Sequence, residues 1–173
     1  MREIVGFVTF IPKEEFDLKK VVEKIKVEAV SEKERNPEGI VTNLMVLVRE
    51  GIGGVELLYL FLSWGNDCEK RETVQLVTKL ARKLGKVKAA IHCCEVWFVE
   101  SEDPESLTVR PSLHPERKEG ILVVVWQKGS VQAHLARIER KERGVSVGEW
   151  ELTEQGEEKG LWEPLYRIIN AAN

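Results

Sequence analysis

From residue 87 onward, apolar strand-like runs alternate with short turns, and this limits the fold more than any other feature. KAAIHCCEVWFV (88–99) leads through a charged, proline-marked connection to ILVVVW (121–126). Gln127-Lys128-Gly129-Ser130 then turns the chain into 131–141, and a turn at Gly144 leads into 145–153. Runs of this length, rich in Val, Ile and aromatic residues and bounded by turns, read as strands. Strands joined by turns as short as those at Gly129 and Gly144 pair antiparallel, because a parallel neighbour needs a long crossover. Residues 87–153 as a whole are expected to form a meander. Within 131–141 the apolar phase runs Val131, Ala133, Leu135, then Ala136, Ile138. That switch predicts a bulge near Leu135.

The N-terminal half adds three strands and two helices. EIVGFVTFI (3–11), ended by Pro12, predicts a strand. Residues 40–49 and 55–64 predict two more, joined at Glu50-Gly51-Ile52-Gly53-Gly54, whose glycines suit a hairpin. Clustered glycines also cradle phosphates, but here no helix follows and neither GxGxxG nor GK[ST] is present. Asp17 is placed to cap a helix whose apolar stripe is Leu18, Val21, Val22, Ile25 and Ala29, with Phe16 and Val21 as a hydrophobic staple. Its Glu and Lys residues read as a solvated face, and the helix should fade before Asn36-Pro37-Glu38-Gly39.

A second helix over 66–85 has a clean stripe (Val74, Leu76, Val77, Leu80, Ala81, Leu84), with Asn66 or Asp67 as cap and Gly85 as terminator. Its basic outer face, interleaved with Glu69 and Glu72, reads as solvated surface. Leu161, Trp162, Leu165, Ile168 and Ile169 mark a C-terminal helix, which accommodates Pro164 only in its first turn. The expected class is α+β: a mostly antiparallel sheet of about six to seven strands flanked by about three helices.

Composition narrows the setting. The 173 residues, 43% hydrophobic, suffice for one globular domain, 1–173, with its own core. A net charge of −3 gives no global attraction to nucleic acid or anionic membrane. No run reaches membrane length without a charge, so a cytoplasmic protein is expected. Only Asp17, Asp67 and Asp103 are aspartates among 29 acidic residues, and Asn and Gln are scarce, a thermophile-like surface. Cys68, Cys93 and Cys94 make no disulfide framework: the count is odd, and adjacent strand residues face opposite ways.

Chemistry concentrates between Lys88 and Trp126. Strand alternation puts Ile91, Cys93, Glu95 and Trp97 on one face, and His92, Cys94, Val96 and Phe98 on the other. A carboxylate in such company must be paired, hydrogen-bonded, protonated or beside a cleft. Glu95 therefore reads either as a structural ion pair with an arginine of the following connection, or as a catalytic or ligand-binding group. His92, Cys94 and His114 match no metal-ligand spacing, and no metal or other cofactor is expected. The connection 100–119 is acidic first (Glu100, Glu102, Asp103, Glu105), then basic (Arg110, Arg117, Lys118), and is stiffened by Pro104, Pro111 and Pro115. Its arginines suit bidentate contacts to carboxylates.

A strand end C-E-V-W followed by R-P-S-x-H-P-x-R-K-E resembles a family of bacterial, archaeal and phage-borne proteins of no assigned activity. Its members carry an S-E-A-W-like strand end and a P-S-x-x-P-x-R-x-E-like loop. The matching positions are Glu95, Trp97, Arg110, Pro111, Ser112, Pro115, Arg117 and Glu119, and the chain departs at Cys94 and Val96. The resemblance spans roughly residues 55–127. It implies that Glu95 and the 110–119 segment act together.

Two functional expectations follow. The first is a non-catalytic interaction or assembly module, of a kind compatible with a virus or mobile element, in which Glu95 and the arginines are a structural network. An open sheet edge would suit a homodimer or other homo-oligomer, and a protein partner is compatible. The second is a small hydrolase-like enzyme with Glu95 as base or metal ligand, Arg110 and Arg117 binding an anionic group, and His114 shuttling a proton. Nucleic-acid binding ranks below both, for lack of a basic surplus or a motif.

Overall fold

The computed structural model describes residues 3–100, 109–156 and 160–172. Seven strands form one sheet: β1 (Val5–Pro12), β2 (Leu44–Gly51), β3 (Gly54–Phe61), β4 (Val87–Phe98), β5 (Lys118–Gln127), β6 (Ser130–Arg140) and β7 (Val145–Gly156). Their order is β1-β3-β2-β4-β5-β6-β7, and every neighbouring pair is antiparallel. With α1 (Leu18–Arg35), α2 (Asp67–Leu84) and α3 (Glu163–Ala171) the class is α+β. No helix among the described residues is long and apolar enough to cross a membrane.

The helices begin and end on local signals. The Asp17 carboxylate accepts the Lys19 N–H at 3.0 Å, and Asn66 Oδ1 accepts the Glu69 N–H at 2.9 Å. Gly85 stops α2 at φ 69°, a left-handed conformation that costs glycine little. Pro164 lies in the first turn of α3.

α1 covers one face of the sheet, setting Val22, Ile25 and Ala29 among Val46, Val48, Ile91, Cys93, Ile121 and Val123. α2 and α3 cover the other, setting Val77, Ala81, Leu165 and Ile169 among Met45, Leu47, Ala90 and Trp126. The middle strands are thus sandwiched, which is why their sequences are apolar at consecutive positions. β1 lies beyond the cover. Val5, Phe7, Val8 and Phe10 are 67, 50, 59 and 55% exposed.

Two details differ from the sequence reading. β2 starts at Leu44 rather than 40, because side chains take the preceding backbone donors. Glu32 Oε1 accepts the Thr42 N–H at 2.9 Å, and Glu95 Oε2 accepts the Val41 N–H at 3.4 Å. The phase switch around Leu135 is not a bulge in β6, which runs in continuous register against β5. Val131, Ala133 and Leu135 face the α2/α3 side, while Ala136 and Ile138 face the α1 side, and all are buried. The register shifts in that region lie in the β6–β7 pairing, where β7 carries the additional residues.

Candidate functional site

α1 carries two lysines inside its apolar stripe: Lys26 is 6% and Lys33 2% exposed. The reading of all α1 charges as solvated fails at both. Lys33 lies four residues beyond Ala29, on the same helical face, so its stem follows the core stripe and its ammonium emerges at the helix end. There it meets Glu95 at 2.5 Å and donates to the Gly39 carbonyl at 2.8 Å. Glu95 is drawn in from β4 because odd positions of that strand face α1. Its partner is therefore a helix lysine, not an arginine of the 100–119 connection.

A second pair sits alongside. Arg140 of β6 grips Glu119 of β5 with two parallel bonds, Nε to Oε2 and Nη2 to Oε1, each 2.8 Å. Its Nη1 also donates to Glu38 Oε1 at 3.4 Å. Lys33, Glu38, Glu95, Trp97, Glu119 and Arg140 line a small cradle of about 200 Å3. The Arg117 guanidinium lies 4.9 Å from the Trp97 ring centre, a cation–π contact at its rim. The bidentate arginine predicted for the connection is thus supplied by β6.

The other predicted site residues go elsewhere. Arg110 pairs with Asp67 at the start of α2, 2.7 Å away, with both side chains exposed. His114 Nδ1 accepts the Glu116 N–H at 3.0 Å, and the His114 carbonyl accepts from Arg117 at 3.4 Å. Among the described residues no hydrogen bond or ion pair joins Glu95 to Arg110, His114 or Arg117. The acidic positions Glu102, Asp103 and Glu105 and the stiffening Pro104 lie outside the described residues. Glu100 pairs with Lys118 at 2.9 Å and with Arg137.

On the opposite face, His92 is enclosed by Trp64, Trp126 and Trp162, with ring centres 5.4–6.4 Å away. Its Nε2 lies 2.7 Å from Asn43 Oδ1, which requires an Nε2–H donor. Burial, aided by the Lys70 charge, pushes the imidazole down to about 4. Lys70 itself lies 5.5 Å over the Trp64 ring, which gives the basic face of α2 an aromatic neighbour.

Burial pushes the Cys93 thiol up to about 12 and, against the pull of Lys70, the Cys94 thiol up to about 11. Neither can supply a thiolate near neutrality. Cys68 alone is exposed. An aromatic disulfide reagent at pH 8 is expected to titrate one thiol rapidly in the native protein and three in guanidinium. Fast reaction of two or more native thiols would contradict this packing. No group of three or more His, Cys, Asp or Glu among the described residues is arranged to hold a metal.

The two edges of the sheet are unlike. β7 is blunted by two register shifts and by the exposed carboxylates Glu149 and Glu151. β1, VGFVTFIP, has no charge and an unbroken register, and it is apolar and exposed on both faces. Phe7 stacks on Tyr59 of β3 with ring centres 4.7 Å apart, and Phe10 lies over Gly54, where a Cβ would come within 2.3 Å of its ring. Comparison with family models, curated proteins and solved structures gave no match.

Proposed function

We propose that the protein is a non-catalytic interaction or assembly module that works through the β1 edge. The observation that carries this is the contrast between the two edges. Natural sheets guard their outer strands with charges, proline, bulges or cover; β7 has charges and register shifts along its length, while β1 has only Pro12, at its last position. The cradle around Glu95 fits a structural role. Its ionic groups are committed to one another, and a general base must instead reach a substrate proton. The cytoplasmic setting is supported by the free, adjacent thiols, and the thermophile-like surface by the excess of Glu over Asp. The family resemblance stands on the same footing. In its matched segment, Glu119 lines the cradle with Glu95, and Arg117 sits on Trp97.

Native mass spectrometry of protein purified without a metal-affinity tag tests the reading. Association through protein contacts is expected, free of retained metal or small ligand. It should be abolished by Val8→Lys with the far-ultraviolet circular dichroism unchanged. A single chain holding a metal or anion would overturn it.

A further inference from the structure

We infer that the partner of β1 is β1 of a second copy, paired antiparallel about a two-fold axis at Val8. The inference rests on the reading of β1 as the working edge.

Backbone phase comes first. The Leu62 N–H, continuing β3, bonds the Asn43 carbonyl beside β2 at 2.8 Å. Even positions of β3 therefore turn their backbone groups toward β2, and odd positions toward β1. Val5, Phe7, Thr9 and Ile11 stand opposite Phe61, Tyr59, Leu57 and Val55 and close the ladder with them. Gly6, Val8 and Phe10 direct their N–H and C=O groups to the open edge. Pro12 falls in the same outward set, so its missing N–H costs the β1–β3 ladder nothing.

A symmetric antiparallel partner must oppose outward positions with outward positions, which puts the axis on a residue, and axes at Phe7, Val8 and Thr9 keep most of the strand paired. The flanking charges choose among them. An axis at Thr9 runs Glu3 past the end of the partner's strand, where Lys13–Glu15 form a 3-10 turn, and sets Pro12, which has no N–H to give, opposite Gly6 inside the ladder. An axis at Phe7 sets Glu3 against Ile11. An axis at Val8 moves Pro12 to the margin, opposite Ile4 just outside β1, and brings exposed Glu3 to exposed Lys13, the residue that follows the strand, at both ends of the pairing. Side chains agree with that choice. On the α1 face Phe7 meets Thr9 and Val5 meets Ile11, pairs of the aromatic–β-branched and β-branched kinds that favour antiparallel ladders. On the other face Phe10 stands against Gly6, which carries no side chain and can carry none. A Cβ there would lie 2.1 Å from the Tyr59 carbonyl oxygen. The pairing joins two seven-stranded sheets into one and withdraws the exposed Val5, Phe7, Val8 and Phe10 from water.

The register is tested by oxidative cross-linking of Val8→Cys and Val5→Cys, each with Cys68→Ser, and by light scattering of the unaltered chain. With the axis at Val8, the two Val8 Cα atoms lie about 5.5 Å apart, within disulfide reach. The two Val5 Cα atoms are then separated by six residues of strand, about 20 Å. The expected result is a dimeric parent, a covalent dimer from Val8→Cys and none from Val5→Cys. A monomeric parent, or cross-linking of Val5→Cys as readily as Val8→Cys, overturns the inference. Val8→Lys separates the two levels. Assembly that Val8→Lys abolishes, but in which Val8→Cys does not cross-link, leaves the interaction edge standing and removes only this self-pairing. Assembly that Val8→Lys leaves intact removes both.

Discussion

Lys33→Met is expected to lower the free energy of unfolding by about 3–5 kcal/mol, because it strands the Glu95 carboxylate with little solvent access. Lys33 and Glu95 side chains are 2% and 13% exposed, and the ammonium also satisfies the Gly39 carbonyl. Glu95→Gln acts in the same direction but by less, since Lys33 keeps its bond to Gly39. The double change Lys33→Met with Glu95→Leu should recover most of the loss. A buried pair replaced by apolar groups of similar volume is often neutral or better. Urea midpoints at constant slope measure all three. Single variants within about 0.5 kcal/mol of the parent would show that the pair does not hold α1 to the sheet.

Acid is expected to weaken the fold through His92. The unfolded imidazole takes up its proton near 6.5, while the folded one, walled by three tryptophans, waits until about 4. Between those values the unfolded state binds more protons than the native state. The stability is therefore complete above pH 6.5 and declines as pH falls through 4, by about 3 kcal/mol at 1.36 kcal/mol per pH unit. His134 adds in the same direction, lowered by burial and then by the Lys26 charge. Glu50 is held below the usual carboxylate range by its bond to Lys88 and loses that contribution at lower pH. Denaturation at pH 7, 5.5 and 4 should show the full slope in the parent and a shallower one in His92→Gln. Equal slopes would mean that His92 titrates normally in the native state.

Much of the frame was legible in the residues. Glycine turns and apolar runs set the meander. Asp17, Asn66 and Gly85 set three helix ends. Pro164 set the start of α3. These are local signals, and local backbone preferences act over a few residues wherever the segment ends up. Glu95 was also legible as an anomaly, because a carboxylate amid apolar neighbours demands an explanation at the level of the strand itself. Its partner was not. Lys33 lies on another element, and only the packing of α1 across the sheet decides that its ammonium, rather than Arg110 or Arg117, reaches the carboxylate. A signal for it existed in hindsight, since Lys26 and Lys33 continue the spacing of Val22, Ile25 and Ala29.

The edge illustrates the same division. EIVGFVTFI read as a strand on propensity alone, but the same letters would serve a buried central strand equally well. Sheet order is set by long-range pairing between segments some fifty residues apart, and that order put β1 on the outside and the glutamate-bearing β7 at the other end. Which carboxylate is neutralised by which cation, and which apolar strand is left facing water, are properties of neighbours in space. The chain by itself determined its elements, and the tertiary structure decided their company.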